Sequence, residues 1–150
     1  MKVSGYTAIE RYIIDFLLPC HSYAILQLIQ CYEAASCTCA TFPDPDTLVT
    51  GSRDCKVRLW KLIREEKTSF TLSYILNGHR QRVLCVVASR AWSLVVSGSE
   101  DGSAMLWELN RAQYVRSIEH ESPVYLAAIN ESTVCALSSI TPHSTHITVG

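Results

Sequence analysis

Two aspartates and a histidine are the side chains of this sequence whose types could support catalysis. Asp54 and Asp101 could act as carboxylates in general acid–base chemistry, and His79 could act as a base or as a metal ligand. Each aspartate follows a Gly-Ser-x pattern that is typical of a β-hairpin turn, where a carboxylate accepts hydrogen bonds from the backbone. We therefore predict that both aspartates are structural turn residues.

The other patterns with chemical potential are weaker. The segment 97–99, Ser-Gly-Ser, lacks the Gly-x-Ser-x-Gly of a nucleophile elbow, and a phosphate-binding Gly-Lys-Ser/Thr does not occur in the sequence. His143 and His146 could bind a metal, but no cysteine or acidic residue stands near them, so we interpret them as part of a solvated tail. The sequence thus predicts no metal, no cofactor and no enzymatic activity.

The composition is that of a globular chain with a nearly balanced charge. Of its 150 residues, 48% are hydrophobic and 18% are charged, and the formal net charge is −1. This balance predicts no electrostatic capture of nucleic acid, and Arg80, Arg82 and Arg90 are interpreted as scattered surface charges. Seven cysteines, an odd number without a C-x-x-C pair or a secretory leader, predict free thiols and a cytoplasmic location.

Residues 1–36 differ from the rest of the chain in their apolar spacing. A helix is predicted over 8–18, where Pro19 ends it, and a second helix over 23–35. The second helix is apolar on nearly all sides and must be buried against another element. The apolar stretch 12–29 contains charged and proline residues, so it predicts no transmembrane segment.

A hairpin pattern occurs twice, 47 residues apart. The two copies are Thr50–Trp60 and Ser97–Trp107, and each carries its aspartate at the same place. Asp101-Gly102 predicts a two-residue type I′ turn, because glycine adopts a positive φ without steric cost. Three chemically distinct positions with one spacing indicate an internal repeat.

From residue 37 onward the hydrophobic period is two, which is typical of strands. The strands group into units over 37–77 and 78–118 and a partial third unit over 119–138, followed by a tail over 139–150 that forms a weak strand or a loose end. The predicted strands are 37–42, 47–51, 56–62, 70–76, 83–89, 93–98, 103–109, 114–118, 124–130 and 134–138.

Four strands per unit, a Gly-His before the first strand and a tryptophan in the third resemble the WD-repeat family of β-propellers. The resemblance covers residues 37–129, and the Trp-Asp pair of that family is replaced here by Trp60-Lys61 and Trp107-Glu108. It implies a mainly β fold, a partial propeller of two blades plus a partial third, preceded by the helical segment.

The resemblance also implies a buried hydrogen-bond network inside each blade. The matching positions in the second unit are His79, Ser97, Asp101 and Trp107. In that network the aspartate accepts from the imidazole, the imidazole meets the hydroxyl, and the hydroxyl accepts from the indole N–H. A network with every member satisfied stiffens the blade, so His79 is expected to be structural.

The other two units keep only parts of this network. The first unit has Thr50, Asp54 and Trp60, but its histidine position falls at Tyr32, so the first blade is expected to be less rigid. The third unit keeps only His120.

Three segments, 40–52, 94–99 and 128–133, look like the C-terminal propeller of BEACH-domain proteins of the neurobeachin and lysosomal trafficking regulator type. This resemblance implies a non-catalytic protein-interaction scaffold in membrane trafficking or autophagy, with other proteins as partners. Association with membranes would then be peripheral, through a larger complex.

Four rim residues are predicted to contact a partner. Arg53 and Glu100 precede the turn aspartates, and Arg80 and Gln81 follow the Gly-His pair. The fold does not need these side chains, and their positions at turns should expose them.

Two full blades and a fraction are fewer than the four to eight that close a propeller. Either the chain is a truncated propeller fragment without independent function, or its open sheet edges pair with another chain. The break in resemblance before residue 37 and after residue 133 favours the fragment.

Overall fold

The computed structural model describes residues 37–64, 68–130, 133–137 and 144–148. This part of the chain consists of β-strands joined by tight turns, and every pairing between neighbouring strands is antiparallel. The strands are β1 (Cys37–Asp44), β2 (Thr47–Ser52), β3 (Lys56–Arg64), β4 (Thr68–Asn77), β5 (Val83–Ser89), β6 (Leu94–Ser99), β7 (Ser103–Glu108), β8 (Gln113–Glu119), β9 (Leu126–Ile129), β10 (Thr133–Leu137) and β11 (Ser144–Thr148).

The strands form three meandering sheets in which spatial order follows chain order. Sheet 1 contains β1–β4, sheet 2 contains β5–β8, and sheet 3 contains β9–β11. The mainly β fold class predicted from the sequence is confirmed by the two four-stranded sheets, whereas the helical segment predicted over 1–36 lies outside the described residues. Within the predicted tail, β11 pairs with β10 without a register shift.

The turns of the two repeated hairpins, β2–β3 and β6–β7, have three residues, so the predicted two-residue type I′ turn is wrong. In sheet 2 the turn is Glu100–Gly102, and Gly102 alone has a positive φ, 83°. A type I′ turn requires a positive φ at both central residues, and Asp101 does not have one. The equivalent position in sheet 1 is Cys55, with a φ of 67°, which a side chain adopts only at a steric cost.

Strand β6 of sheet 2 buries both of its faces against the neighbouring sheets. On β6, Val95 belongs to the core shared with sheet 1, while Val96 belongs to a second core that includes Ala127 and Ile129 of sheet 3. Both valines are fully buried, and burial of each side chain contributes about 2 kcal/mol to folding. Consecutive apolar residues in this central strand are therefore required by burial on two sides.

Glycines just before the turns let neighbouring sheets approach closely. A Cβ on Gly51 would lie 2.6 Å from Val83 Cγ1, and a Cβ on Gly98 would lie 2.6 Å from Val124 Cγ1. Both valines are fully buried. Val83 begins sheet 2 and Val124 lies just before sheet 3, and each packs against the sheet that precedes it in the chain. The glycine of each Gly-Ser pair thus leaves space for a valine that leads into the next sheet, and the pair also leads into a turn.

Candidate functional site

A continuous chain of hydrogen bonds runs through the interior of sheet 2. Trp107 Nε1 donates to Ser97 Oγ at 2.9 Å, and Ser97 Oγ lies 2.7 Å from His79 Nε2. On the other side of the ring, His79 Nδ1 lies 2.8 Å from Ser103 Oγ, which in turn donates to Asp101 Oδ1 at 2.5 Å. The structure therefore brings together all four residues predicted for this network and adds Ser103.

The direction of each bond follows from the number of available protons. The Asp101 carboxylate only accepts, so the single hydroxyl proton of Ser103 goes to it, and Ser103 must accept from His79 Nδ1–H. Nε2 is then the acceptor, and it receives the hydroxyl proton of Ser97. Because Ser97 Oγ also accepts from the indole of Trp107, every polar group in the chain is satisfied by a neutral imidazole.

The electrostatics of the network agree with a neutral histidine and an ionised aspartate. Burial lowers the pKa of His79 below its ordinary value, although the nearby Asp101 opposes this shift. Partial desolvation raises the pKa of Asp101, but hydrogen bonds from Ser103 and from the Arg80 N–H outweigh it and bring the pKa to about 2. The one lone pair of this neutral imidazole, on Nε2, accepts from Ser97, and the ring is buried, so His79 lacks the free acceptor and the access that a base or metal ligand needs.

Ser103 is the member of the network that sequence reasoning missed. His79 Nδ1 lies 3.7 Å from Asp101 Oδ2, so the direct imidazole–carboxylate bond expected from the sequence is replaced by a bridge through Ser103. A signal was present, because Asp101 and Ser103 have the two-residue spacing of an Asx turn, and the Ser103 N–H does donate to Asp101 Oδ1 at 2.8 Å.

Sheet 1 holds its aspartate in a different way. Trp60 Nε1 donates to Thr50 Oγ1 at 2.9 Å, the same bond as in sheet 2. Asp54, however, accepts a two-pronged hydrogen bond from the guanidinium of Arg58, which is 9% exposed. Desolvation raises the pKa of Asp54, but the hydrogen bond and charge of Arg58 lead to a net lowering. Arg58 therefore takes over the role of pairing the turn aspartate.

In the third unit, His120 has only part of its expected surroundings. Its backbone N–H donates to Gly102 O at 2.8 Å, but its buried Nε2 has no hydrogen-bond partner among the described residues. The strand register gives a reason: Val86, seven residues after His79, pairs with Ser97, whereas Ala127, seven residues after His120, pairs with Ala136. Alanine has no hydroxyl to offer at that position.

The four predicted contact residues lie on the turns at the end of the sheets that also carries the turn aspartates. Arg53, Arg80 and Gln81 are exposed, and Glu100 is partly exposed. Glu100 accepts from Arg82 at two positions, Oε1 and Oε2, each at 2.9 Å. We call this end of the molecule, formed by residues 53–55, 80–82 and 100–102, the rim.

Three cysteines, Cys39, Cys55 and Cys85, are free thiols with limited exposure. Burial raises the pKa of Cys39 to about 12 and that of Cys85 to about 11, so neither is a nucleophile at neutral pH. Within the described ranges, no group of three or more metal-ligating side chains comes together, and His143 lies outside those ranges.

The described part of the chain contains no helix that could span a bilayer.

Sheets 1 and 2 are four-stranded meanders that pack face to face and follow each other in chain order. This is the arrangement of a β-propeller, in which each sheet is a blade. The family model described as the IP5P C-F beta-propeller matches residues 27–144. The chain therefore belongs to that β-propeller family, and the predicted resemblance to the propeller region of BEACH-domain proteins is confirmed by its relatives.

Two relatives and one solved structure illustrate this placement. Beige protein homolog 1 of Schizosaccharomyces pombe is 38% identical over 88 residues, which is 58% of this chain and 3% of that protein. The human lysosomal-trafficking regulator is 32% identical over 123 residues, 73% of this chain and 3% of that protein. The crystal structure of the computationally designed Ika8 protein matches in fold, with a TM-score of 0.58 at 22% identity, over 67% of this chain and 30% of that one. The chain thus corresponds to a small part of the length of these relatives.

Proposed function

We propose that this chain is a non-catalytic protein-interaction scaffold whose rim binds other proteins. The observation that carries the proposal is that the polar side chains able to do chemistry are buried and bonded to each other, while other polar side chains at the rim are exposed. His79 and Asp101, which could have done chemistry, are buried and bonded to each other through Ser103. Arg53, Arg80 and Gln81 are exposed, and their side chains take no part in the network.

The cellular setting is proposed from the relatives and the thiols. One relative carries lysosomal trafficking in its name, which supports a role in membrane trafficking, and autophagy is the related setting that the family resemblance implies. Free cysteines support a cytoplasmic location. Contact with membranes would be indirect, through a larger complex, and the near-neutral charge of −1 argues against nucleic acid as a partner.

The test compares two ends of sheet 2. The full chain is immobilised and used to retain proteins from a cell extract, in parallel with an Arg80→Ala/Gln81→Ala variant at the rim and an Arg111→Ala variant at the opposite end. Arg111 is exposed and follows β7, so its removal is a matched control.

We expect at least one protein to be retained by the parent chain and by Arg111→Ala and to be lost from the rim variant. Retention that is unchanged in the rim variant, or lost equally in both variants, would contradict the proposal.

A further inference from the structure

We infer that the partner of the rim presents an acidic segment, a stretch of peptide rich in aspartate or glutamate. This inference rests on the proposed function of the rim and adds the chemistry of the partner. It follows from the charges at the rim, because the carboxylates there are paired or turned inward while two arginines are exposed to a partner.

Two of the three carboxylates on the two described turns are neutralised by internal ion pairs, and the third is turned into the interior. Asp54 is paired with the guanidinium of Arg58, and Glu100 is paired with that of Arg82. Asp101 turns inward, with its side chain 8% exposed, and accepts hydrogen bonds from Ser103. None of these three carboxylates is available as an open negative charge on this part of the rim.

Two arginines on the same turns have no such partner. The guanidinium groups of Arg53 and Arg80 are exposed, and neither makes a hydrogen bond or an ion pair with a described residue. The backbone of Arg80 is nevertheless fixed, because its N–H donates to Asp101 Oδ2 at 2.6 Å. Its side chain therefore projects from an anchored position, which reduces the entropy lost when a partner binds.

The two arginines belong to neighbouring parts of one surface. Arg53 stands two residues after Gly51, whose Cβ position lies 2.6 Å from Val83 Cγ1, and Val83 follows the loop that carries Arg80. That loop is held over the sheet 2 turn, since the Glu100 N–H donates to Arg82 O at 3.1 Å. Guanidinium groups at adjacent turns can each bind a carboxylate in a fork-like geometry, which favours a chain of acidic residues over a single anion.

The charge changes sign toward sheet 3. Glu119 and Glu121 are exposed at the connection from sheet 2 to sheet 3, and neither forms an ion pair with a described residue. An acidic segment is therefore attracted to the turns of sheets 1 and 2 and repelled from this connection. This polarity also provides an internal control for the experiment.

The test uses a fluorescein-labelled twelve-residue peptide of alternating Glu and Ser, with the same peptide carrying Gln for Glu as the neutral comparison. Binding to the full chain is measured by fluorescence anisotropy at low and at physiological salt. We expect the acidic peptide to bind and the neutral one not to bind. We expect Arg53→Gln/Arg80→Gln to weaken binding by about tenfold and higher salt to weaken it further.

Two charge variants serve as controls. Glu121→Gln removes a repulsive charge and should leave affinity unchanged or raise it, whereas Arg111→Gln at the opposite end should have no effect. Equal binding of both peptides, or an affinity that the double arginine variant does not reduce, would overturn the inference.

The extract experiment distinguishes this failure from failure of the proposed function. If Arg80→Ala/Gln81→Ala abolishes retention of a protein but the acidic peptide does not bind, the rim is the binding surface and only the acidic partner is rejected. If the peptide binds and no retained protein depends on the rim, the charge chemistry holds and the scaffold function is rejected.

Discussion

Sheet 1 and sheet 2 share a strand order, a register and an indole–hydroxyl hydrogen bond of 2.9 Å, but they hold the aspartate of the turn by different means. In sheet 2 the aspartate accepts from Ser103, which in turn is bonded to His79 in the connection between β4 and β5. In sheet 1 the aspartate accepts from Arg58, which lies on β3, four residues from Asp54.

The difference teaches what the histidine contributes besides a hydrogen bond. Because His79 comes from the connecting loop, its network fastens the end of sheet 1 to the interior of sheet 2. The Asp54–Arg58 pair lies within one hairpin and can fasten only that hairpin. It also leaves Arg58 Nε buried without a hydrogen-bond partner among the described residues, which costs about 1 kcal/mol or more. Four predictions test or refine this comparison.

The largest effect is expected from removing the histidine. His79→Ala should lower the free energy of unfolding by about 3 kcal/mol, because Ser97 and Ser103 lose their shared partner in a buried site. Urea unfolding followed by tryptophan fluorescence measures the change. His120→Ala is the matched control and should cost clearly less, since the His120 side chain has an unpaired Nε2. Equal losses from the two variants would contradict a special role for His79.

Removing the hydroxyl that accepts from the tryptophan should destabilise sheet 2 more than sheet 1. Ser97→Ala leaves both His79 Nε2 and Trp107 Nε1 without this partner and should cost about 2 kcal/mol. Thr50→Val removes one hydrogen bond, to Trp60, and should cost about 1 kcal/mol. The same urea titration applies to both. A larger loss of unfolding free energy from Thr50→Val than from Ser97→Ala would contradict this order, because it would show that sheet 1 depends more strongly on its indole–hydroxyl hydrogen bond.

Introducing a glycine in one turn and removing it from the other should change the stability of the chain in opposite directions. Cys55→Gly relieves the positive φ of 67° and should stabilise the chain by about 1 kcal/mol. Gly102→Ala should destabilise it, since the new Cβ would lie 2.5 Å from His120 O. Thermal unfolding monitored by circular dichroism measures both shifts, and a lower midpoint for Cys55→Gly would contradict the argument.

The smallest effect is expected in the pH dependence of stability. The pKa of His79 is lowered in the fold, so the unfolded chain takes up a proton first as the pH drops below about 6.5, and stability falls from there. Asp101, with a pKa of about 2, and Asp54, also lowered, lose their contributions only at more acidic pH, below their ordinary values. Urea midpoints from pH 7.5 to 4.5 should decline in the parent chain and decline less in His79→Gln. Parallel curves would contradict a neutral, buried His79.

Local patterns account for what could be predicted from the sequence. Alternating apolar residues and turn residues located β1 to β10 to within a few positions, as for Val83–Ser89, whereas β11 falls in a segment for which no strand bounds were predicted. The hydrogen bond between Trp107 and Ser97 was predicted from the resemblance to the WD-repeat family, and the strand register of the hairpin brings the two side chains within reach.

The details of the network could not be predicted in the same way. Whether Asp101 meets the imidazole directly or through Ser103 depends on about 1 Å in the position of the connecting loop, and no residue type encodes that distance. Arg58 was overlooked because an arginine on a strand usually points to solvent, whereas here it is 9% exposed.

By itself, the sequence determined the repeat, the strands and the hairpins, because these depend on side-chain alternation and turn chemistry over ten or twelve neighbouring residues. Only the tertiary structure decided which charges are neutralised. Arg58 and Arg82 form ion pairs with Asp54 and Glu100, while Arg53 and Arg80 form none with a described residue. The physical reason is that an ion pair forms through distance and burial, and the folded positions of strands, turns and connecting loops set both.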